Sequence, residues 1–152
     1  MEEHIKVVAT NRKATHDYAV LERFEAGIAL LGSEIKSIRA GQINLKEGYI
    51  SIEGRQAWLY NVHISPYDPA SSANHDPLRK KRLLLHRKEI VKLQEAQQQK
   101  GLAIIPLRVY LKRGMAKAEI GLGRGLKKYD KRQVIAKRDA ERDMRRALSS
   151  RK

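Results

Sequence analysis

Two histidines of this chain stand directly beside an aspartate, at His16-Asp17 and at His75-Asp76. An imidazole held by a carboxylate is the arrangement that general acid–base catalysis uses. Neighbouring side chains on an extended chain point to opposite sides, so neither pair is predicted to form a catalytic dyad. We interpret both histidines as surface residues near turns. The sequence spaces no carboxylate cluster around its histidines, and a chain without cysteine offers no thiolate ligand or nucleophile.

A glycine-rich segment, Gly121-Leu122-Gly123-Arg124-Gly125, is similar to the loops that cradle phosphates. It lacks both a strong helix start and the lysine followed by serine or threonine that completes a nucleotide-binding P-loop. We therefore interpret it as a hinge between a strand and the C-terminal tail. No serine has the surroundings of a nucleophile elbow. The residue types predict a protein that is not an enzyme and that needs no metal or cofactor.

Clustered basic residues carry a stronger signal. The formal net charge is +15, and the cations gather at Asn11-Arg12-Lys13, at 79–82 and at Lys112-Arg113 with Lys117. These clusters are predicted to lie outside element interiors or at their ends, where charge can meet the phosphates of a nucleic acid. Aromatic residues are scarce, and several are expected in core packing. The composition thus favours a folded RNA, recognised by backbone and shape, over a single strand held by stacking.

The C-terminal tail holds more than its share of the charge. Residues 124–152 carry twelve Lys or Arg against four Asp or Glu, whereas residues 1–123 carry twenty against thirteen. Because its apolar residues are few and small, the tail is predicted to be disordered when free and ordered by a polyanion. Helix-forming residues dominate from Asp130 onward, with a narrow stripe that includes Ala136 and Met144, which predicts a helix on binding.

A basic helix lying on a membrane is the competing interpretation of the tail, but the bulky aromatic residues of such helices are missing. No apolar run is long enough to cross a bilayer, and the N-terminal residues lack the core of a signal peptide. We expect a cytoplasmic protein with no membrane partner.

Short periodic segments are expected to position these residues. Strands are predicted at 18–26, 47–52, 55–62, 102–112 and 115–122, and helices at 33–39 and 86–99. Ser33 is the predicted N-cap of the first helix, residues 1–10 a loose arm, and 65–76 a loop. In the hairpin, Trp58 and Tyr60 share one face and Leu59 the other. The order predicts a mixed β-barrel with short helices, of the OB type, over 1–123, followed by the basic tail 124–152.

Several segments together resemble the SsrA-binding protein (small protein B) family of bacterial trans-translation. The matching stretches are 11–14, 16–18, 24–27, 31–41, 76–85, 120–121 and 127–132. The block at 31–41, LGSEIKSIRAG, is far more specific than a lone short motif. The chain departs from the family pattern at Leu126, where many members have Lys, at Tyr129, where some have His, and at His86, where some have Asn.

The resemblance implies an OB-like barrel with a tail that is unstructured in solution. It implies binding to the tRNA-like domain of transfer-messenger RNA (tmRNA), and delivery of the charged complex by elongation factor Tu to a ribosome stalled on a truncated message. The tail then folds in the empty messenger channel and the decoding centre. Translation resumes on the reading frame of the RNA itself, so that the ribosome is released and the incomplete product is tagged.

By matching position, the resemblance assigns two sets of residues. The RNA-binding set is Glu25, Leu84 and Lys117, with Asn11 and His16 nearby in the same surface, and the basic cluster adds Arg12 and Lys13. The ribosome-binding tail set is Gly125, Lys127, Lys128, Tyr129, Asp130, Lys131 and Arg132. The side chains suit these roles, since Lys117 can meet a phosphate, Glu25 base amino groups or 2′-hydroxyls, and Leu84 an exposed base.

Two other classes of protein stay open at this stage. A ribosomal structural protein or general RNA chaperone explains the charge and the tail equally well, but not the block at 31–41. A nuclease or other RNA-processing enzyme needs an acid–base or metal constellation, and the sequence offers none.

Overall fold

The computed structural model describes residues 4–67, 74–126 and 138–146. Its strands are β1 Ile5–Thr10, β2 Tyr18–Ile28, β3 Ile43–Asn44, β4 Tyr49–Glu53, β5 Gln56–Tyr60, β6 His63–Ile64, β7 Lys81–Leu84, β8 Leu102–Lys112 and β9 Met115–Gly125. Its helices are α1 Arg12–Asp17, α2 Gly32–Arg39 and α3 Arg87–Gln97. Residues 138–146 form a further helix, α4, with all its side chains exposed.

Seven of the described strands form one antiparallel sheet in the order β1-β8-β4-β5-β7-β2-β9, and β8 also pairs with β9. Because β8 pairs with both β4 and β9, the two ends of the series β4-β5-β7-β2-β9 meet on one strand. A mostly antiparallel sheet with a few short helices is consistent with an OB-like barrel. The short strands β3 and β6 pair with each other beside it.

The core lies inside the curved sheet, and strand alternation fills it. On β4 and β5, for example, Ile50, Ile52, Ala57 and Leu59 point inward and are almost fully buried. Side chains between them on the same strands are half-buried or exposed. This period of two is what a strand with one buried face requires. The predicted opposition of Leu59 to Trp58 is therefore confirmed.

Helix α3 covers the seam between β4 and β8, where the register pairs Ile50 with Ile104. Leu93 and Ala96 of the helix are buried in the core. At its C-terminal end, the Gln97 side-chain amide accepts from the Ile52 N–H and donates to the Ile52 carbonyl, both at 2.9 Å. These two bonds satisfy backbone groups of β4 and fix the C-terminal end of α3 on that strand.

The five predicted strands and two predicted helices are confirmed, while two other predictions are wrong and a further strand was not predicted. The loose arm contains β1, which pairs with β8 along Ile5 opposite Lys112. The basic run at 79–82 leads into a strand, β7, that pairs with β5 and β2. Helix α2 begins one residue before Ser33 with Leu31 as its N-cap, whose N–H donates to the Glu34 carboxylate at 2.7 Å.

The interpretation of the glycine-rich segment as a hinge is also wrong. Gly121 and Gly123 lie within β9 and are buried, and they pair with β2 on one side and β8 on the other. A Cβ added at Gly121 would stand 2.8 Å from Leu107 Cδ1, and one at Gly123 would stand 3.0 Å from Tyr18 Cβ. Glycine is needed here because neighbouring side chains pack directly onto the strand.

His75 is buried rather than on the surface, which corrects the sequence interpretation. Its Nε2 lies 2.8 Å from the Ile64 carbonyl and its Nδ1 lies 2.8 Å from Ser33 Oγ. Since a carbonyl can only accept, Nε2 carries the proton and Nδ1 accepts from the Ser33 hydroxyl. The imidazole thus joins α2 to β6. His16 is exposed as predicted, and its Nδ1 lies 3.2 Å from Asp17 Oδ1 at the C-terminal end of α1.

Candidate nucleic-acid interface

Three of the predicted RNA-binding residues are brought together by strand register. Leu84 of β7 lies opposite Gly27 of β2, and Gly27 lies opposite Lys117 of β9. Lys117 in turn lies opposite Tyr110 of β8. Glu25 stands two residues before Gly27 and so points to the same face of the sheet. A row of side chains across four strands therefore gathers Glu25, Leu84 and Lys117.

A cleft of about 630 Å³ opens over this row, and we call it the main cleft. Gly27 forms its floor: a Cβ there would lie 3.3 Å from the Cβ of Leu84. Leu84 is 49% exposed and offers an apolar wall. His86 and Met115 contribute to the rim. The missing side chain at Gly27 lets Leu84 lie against β2, since the three atoms nearest to that Cβ position all belong to the Leu84 side chain.

Glu25 is held in place as an anion. The Tyr110 hydroxyl donates to its Oε2, and Lys112 Nζ lies 3.3 Å from its Oε1. The hydrogen bond from Tyr110 lowers the pKa of Glu25, partial burial opposes it, and the charges of Lys112 and Lys117 lower the pKa further. The same bond and burial raise the pKa of Tyr110. The cleft therefore presents a fixed carboxylate acceptor between cations.

Tyr110 and Gly27 are parts of this site that the sequence analysis did not assign. The Arg108 guanidinium lies over the Tyr110 ring, 5.1 Å from the ring centroid. A signal was available, because alternation along β8 places Arg108, Tyr110 and Lys112 on one face. Gly27 is found only from the register, since nothing in the sequence says which strands flank it.

The remaining predicted residues stand at the opposite end of β2. Exposed side chains of α1 supply Arg12, Lys13 and His16, which we call the α1 group. The α1 group precedes Tyr18, the first residue of β2, and Glu25 lies seven residues along that strand. At about 3.3 Å per residue these two points are about 23 Å apart. The structure therefore divides the predicted set into two surfaces.

Asn11 is not a surface residue, and its placement with the RNA-contacting side chains is corrected. It is 3% exposed. Its Oδ1 accepts from the Ala14 N–H at 3.1 Å as the N-cap of α1. Its Nδ2 donates to the carbonyls of Leu45 at 3.1 Å and Pro106 at 2.9 Å. With its amide fully used, Asn11 positions the α1 group.

Only half of the basic run at 79–82 faces outward. The Arg79 guanidinium binds the buried Glu34 carboxylate, with Nη2 at 2.5 Å from Oε1 and Nε at 3.1 Å from Oε2. Lys81 is 1% exposed and its Nζ donates to the Val62 carbonyl at 2.8 Å. Lys80 and Arg82 are exposed. The prediction that the whole run is available to phosphates is wrong, because β7 alternates like any half-buried strand.

Burial shifts the pKa values of Glu34 and Lys81 in opposite directions. It would raise the pKa of Glu34, but hydrogen bonds from Arg79 and the Leu31 N–H, with the charges of Arg79 and Lys81, hold that pKa below its usual value. Burial lowers the pKa of Lys81 to about 8, against the attraction of Glu34. The network ties α2 to β7, directly behind the outward cations.

Comparison with known proteins decides the family. The model of the SmpB protein family matches residues 8–150. The chain belongs to the SmpB family. Its relatives include the SsrA-binding protein of Desulfitobacterium hafniense (strain DSM 10664 / DCB-2), 58% identical over 144 residues that cover 95% of this chain and 92% of that protein. The SsrA-binding protein of Lactobacillus helveticus (strain DPC 4571) is 59% identical over 140 residues, 92% of each.

A solved structure agrees with this assignment. Its chain is 43% identical, superposes with a TM-score of 0.67, and the match covers 84% of this chain and 93% of that one. It comes from work described as "tmRNA-SmpB: a journey to the center of the bacterial ribosome". The membership predicted from the sequence is therefore confirmed.

Most of the tail residues assigned by the SmpB resemblance lie outside the described residues. These are Lys127, Lys128, Tyr129, Asp130, Lys131 and Arg132. Gly125 is described and belongs to β9: it lies opposite Tyr18, and its N–H donates to the Gly101 carbonyl at 3.0 Å. The Leu126 N–H donates to the Asp17 carbonyl at 2.9 Å. The sheet therefore runs past the predicted boundary at residue 123.

Helix α4 touches the folded part of this SmpB chain. The Arg138 guanidinium Nη1 donates to the Thr15 carbonyl of α1 at 3.1 Å. Within the described ranges, no three His, Asp or Glu side chains are grouped so as to hold a metal ion. The helices that the structure describes include none with the length and apolarity to cross a membrane.

Proposed function

We propose that this chain binds the tRNA-like domain of tmRNA through the main cleft and delivers it to stalled ribosomes for trans-translation. The observation that carries the proposal is the row Leu84–Gly27–Lys117 with Glu25 beside it, in a chain of the SmpB family. Relatives that share more than half of their residues with this chain are named SsrA-binding proteins, SsrA being tmRNA. The function requires recognition and delivery, and the protein itself performs no chemistry.

The main cleft offers complementary groups to a folded RNA loop. The Lys117 ammonium binds a phosphate, and Leu84 packs against the face of an unstacked base. Glu25, held ionised by Tyr110 and Lys112, accepts hydrogen bonds from a base amino group or a 2′-hydroxyl. The Glu25 carboxylate repels phosphates, so an RNA binds well here only if it places a hydrogen-bond donor opposite this group. Glu25 therefore adds selectivity rather than affinity.

The α1 group is proposed to add a second RNA-binding surface, and the tail is proposed to serve the ribosome. The α1 group lies at the opposite end of β2 from Glu25, which leaves it available while the cleft holds RNA. The tail set, Gly125 with residues 127–132, is proposed to enter the messenger channel and the decoding centre, with helix formation completed there. Elongation factor Tu is reached through the bound tmRNA. These steps place the protein in the cytoplasm.

We further propose that the described sheet acts as a closed OB-like barrel and that the tail functions as a separate unit. The barrel supplies a rigid frame, because Glu25, Leu84 and Lys117 each stand on a strand with two neighbours. The functional boundary between the two units is placed after Leu126, where the last backbone bond to α1 is made.

The test is a competition experiment on the full-length chain. The labelled tRNA-like domain of tmRNA is bound at about 150 mM salt, where nonspecific phosphate binding is weak. An ordinary tRNA and an unrelated hairpin serve as competitors. Selective binding of the tRNA-like domain is expected. Equal binding to all three RNAs would indicate a general RNA chaperone, and co-purification with vacant ribosomes lacking tmRNA would indicate a ribosomal structural protein.

A further inference from the structure

The outer face of β4, β5 and β7 carries aromatic and basic side chains that the main cleft does not use. Tyr49 and Tyr60 stack on each other, with ring centroids 5.2 Å apart and planes inclined by 15°. Lys80 holds its ammonium 4.4 Å from the centroid of the Trp58 ring. Arg82 lies opposite Trp58 across the β5–β7 pairing. We call these five residues the aromatic face.

This face looks outward and is not part of the core. Tyr49 is 45% exposed, and Lys80 and Arg82 are exposed. Trp58 and Tyr60 are half-buried by their neighbours on the sheet. The core is filled instead by the alternate residues of the same strands. Three of the eight aromatic residues of the chain therefore lie on this outer face.

The aromatic face is continuous with the main cleft. Lys80, Arg82 and Leu84 are alternate residues of the chain through β7, so they follow one another along its outer side at about 6.7 Å. A shallow groove lined by Arg55, Arg82 and Leu84 joins the two surfaces. At the far end, Tyr49 lines another groove together with Lys13 of the α1 group. The aromatic face thus spans the gap between the two predicted RNA-binding surfaces.

We propose that the aromatic face binds unpaired nucleotides of an RNA strand that continues from the main cleft. Bases stack on Trp58 and Tyr49, and phosphates pair with Lys80 and Arg82. Stacking on aromatic rings beside cations is how proteins hold single strands without reading their sequence. The proposal rests on the RNA-binding function above and adds a second ligand class, unpaired RNA, to the folded domain held by the cleft.

The local charges favour this occupant. The carboxylate of Glu53, at the edge of the face, accepts the Tyr60 hydroxyl at 2.8 Å, and Tyr60 is thereby oriented. The Lys80 contact with Trp58 is an exposed cation–π pair, which is weaker than a base stack. A base that stacks on Trp58 therefore displaces the Lys80 ammonium, which moves towards the phosphate of the same nucleotide. An acidic peptide would pair with the two cations but would leave the ring faces without a partner.

The only tryptophan of the chain provides a direct probe, because Trp58 fluorescence reports on this face alone. A single-stranded oligouridylate of about 12 nucleotides is added to the full-length protein at about 100 mM salt. We expect saturable quenching that weakens as salt rises. The Lys80→Met/Arg82→Met variant should bind about tenfold more weakly. The matched variant Lys6→Met/Lys100→Met removes the same charge from exposed positions elsewhere and should stay within about twofold.

A second readout does not use the tryptophan signal. Anisotropy of a fluorescein-labelled oligouridylate should show about a fivefold or greater loss of affinity for Trp58→Leu and for Tyr49→Leu, each checked for folding by circular dichroism. Absence of quenching, equal losses in both charge variants, or equal quenching by polyglutamate would overturn the proposal. If the wild-type chain failed to select the tRNA-like domain yet still showed quenching, the proposed function would fail and this inference would stand.

Discussion

Lys117 lines the main cleft and is separated from the exposed Leu84 by Gly27 of β2. Replacing it with alanine removes one phosphate contact without touching the core, because the residue lies on the outer side of β9. We expect Lys117→Ala to weaken binding of the tRNA-like domain about three- to tenfold and to reduce the salt dependence by about one counterion. Binding titrations at several salt concentrations measure both effects.

The control for this variant is Lys100→Ala, which removes the same charge from an exposed position in the turn between α3 and β8. It should leave the affinity within about twofold. Wild-type affinity of Lys117→Ala at about 150 mM salt would exclude the main cleft as the site. Thermal unfolding of both variants shows whether the fold is intact.

Glu25 should act on selectivity rather than on affinity. The change Glu25→Gln keeps an oxygen that accepts from Tyr110 but removes the negative charge beside Lys112 and Lys117. Phosphates of any RNA then meet less repulsion. We expect binding of an unrelated hairpin to tighten, and the preference for the tRNA-like domain to fall about tenfold, the loss expected when a charged acceptor is removed. An unchanged ratio of the two dissociation constants would contradict the role of this carboxylate.

At the scale of the strand, Gly121 allows β9 to lie against Leu107. A Cβ at this position would meet Leu107 Cδ1 at 2.8 Å and Val20 Cγ1 at 3.3 Å. We expect Gly121→Ala to lower the free energy of unfolding by about 1–3 kcal/mol through overpacking. Gly32→Ala is the control, since nothing lies within 4 Å of the added Cβ, and it should be neutral or slightly stabilising. Urea unfolding of both variants measures the difference.

The buried lysine of β7 makes stability depend on pH. Burial lowers the pKa of Lys81 from 10.5 to about 8, whereas the unfolded chain keeps the ordinary value. Between about pH 8 and pH 10.5 the unfolded chain therefore binds more protons, and stability rises with pH. Relative to Lys81→Met, we expect the wild-type free energy of unfolding to increase by about 1–2 kcal/mol from pH 7 to pH 9.5. Urea unfolding at both pH values tests this, and Lys100→Met, changed at an exposed site, should follow the wild type.

The elements that the sequence predicts correctly are those with a strong period of their own. Strands β2, β8 and β9 and helices α2 and α3 alternate or repeat clearly enough to be read locally. β1 was missed because most of its side chains are exposed, and it is a strand only through its pairing with β8. β7 was missed because its inward positions include Lys81, a residue type that is rarely buried.

For the whole molecule, the clusters of charge could be predicted from the sequence but their directions could not. Arg79 and Lys81 turn inward, because β7 packs on the Glu34 side of the molecule, and Lys80 and Arg82 turn outward. The meeting of Glu25, Leu84 and Lys117 depends on the register of β7, β2 and β9. Such register is set by long-range packing. Family resemblance could name these residues, but only the structure gives the Gly27 floor and Tyr110 beneath the carboxylate.

The division of labour between sheet and tail gives the last prediction. A chain ending at Leu126 keeps the backbone bonds from Gly125 to Gly101 and from Leu126 to Asp17, so β9 is complete. We expect this truncation to bind the tRNA-like domain within about twofold of the full chain, because the residues of the main cleft are untouched. Tagging of incomplete products in a reconstituted translation system should be lost.

A matched control separates charge from sequence in the tail. A chain whose residues 127–152 are shuffled keeps the composition and net charge of the tail but not the order Lys127-Lys128-Tyr129-Asp130-Lys131-Arg132. We expect it to bind the tRNA-like domain normally and to fail in tagging, because the proposed channel contacts need defined side chains at defined positions. Tagging by the shuffled chain would show that the tail acts only through its positive charge. Loss of RNA binding on truncation would instead move the recognition surface from the sheet to the tail.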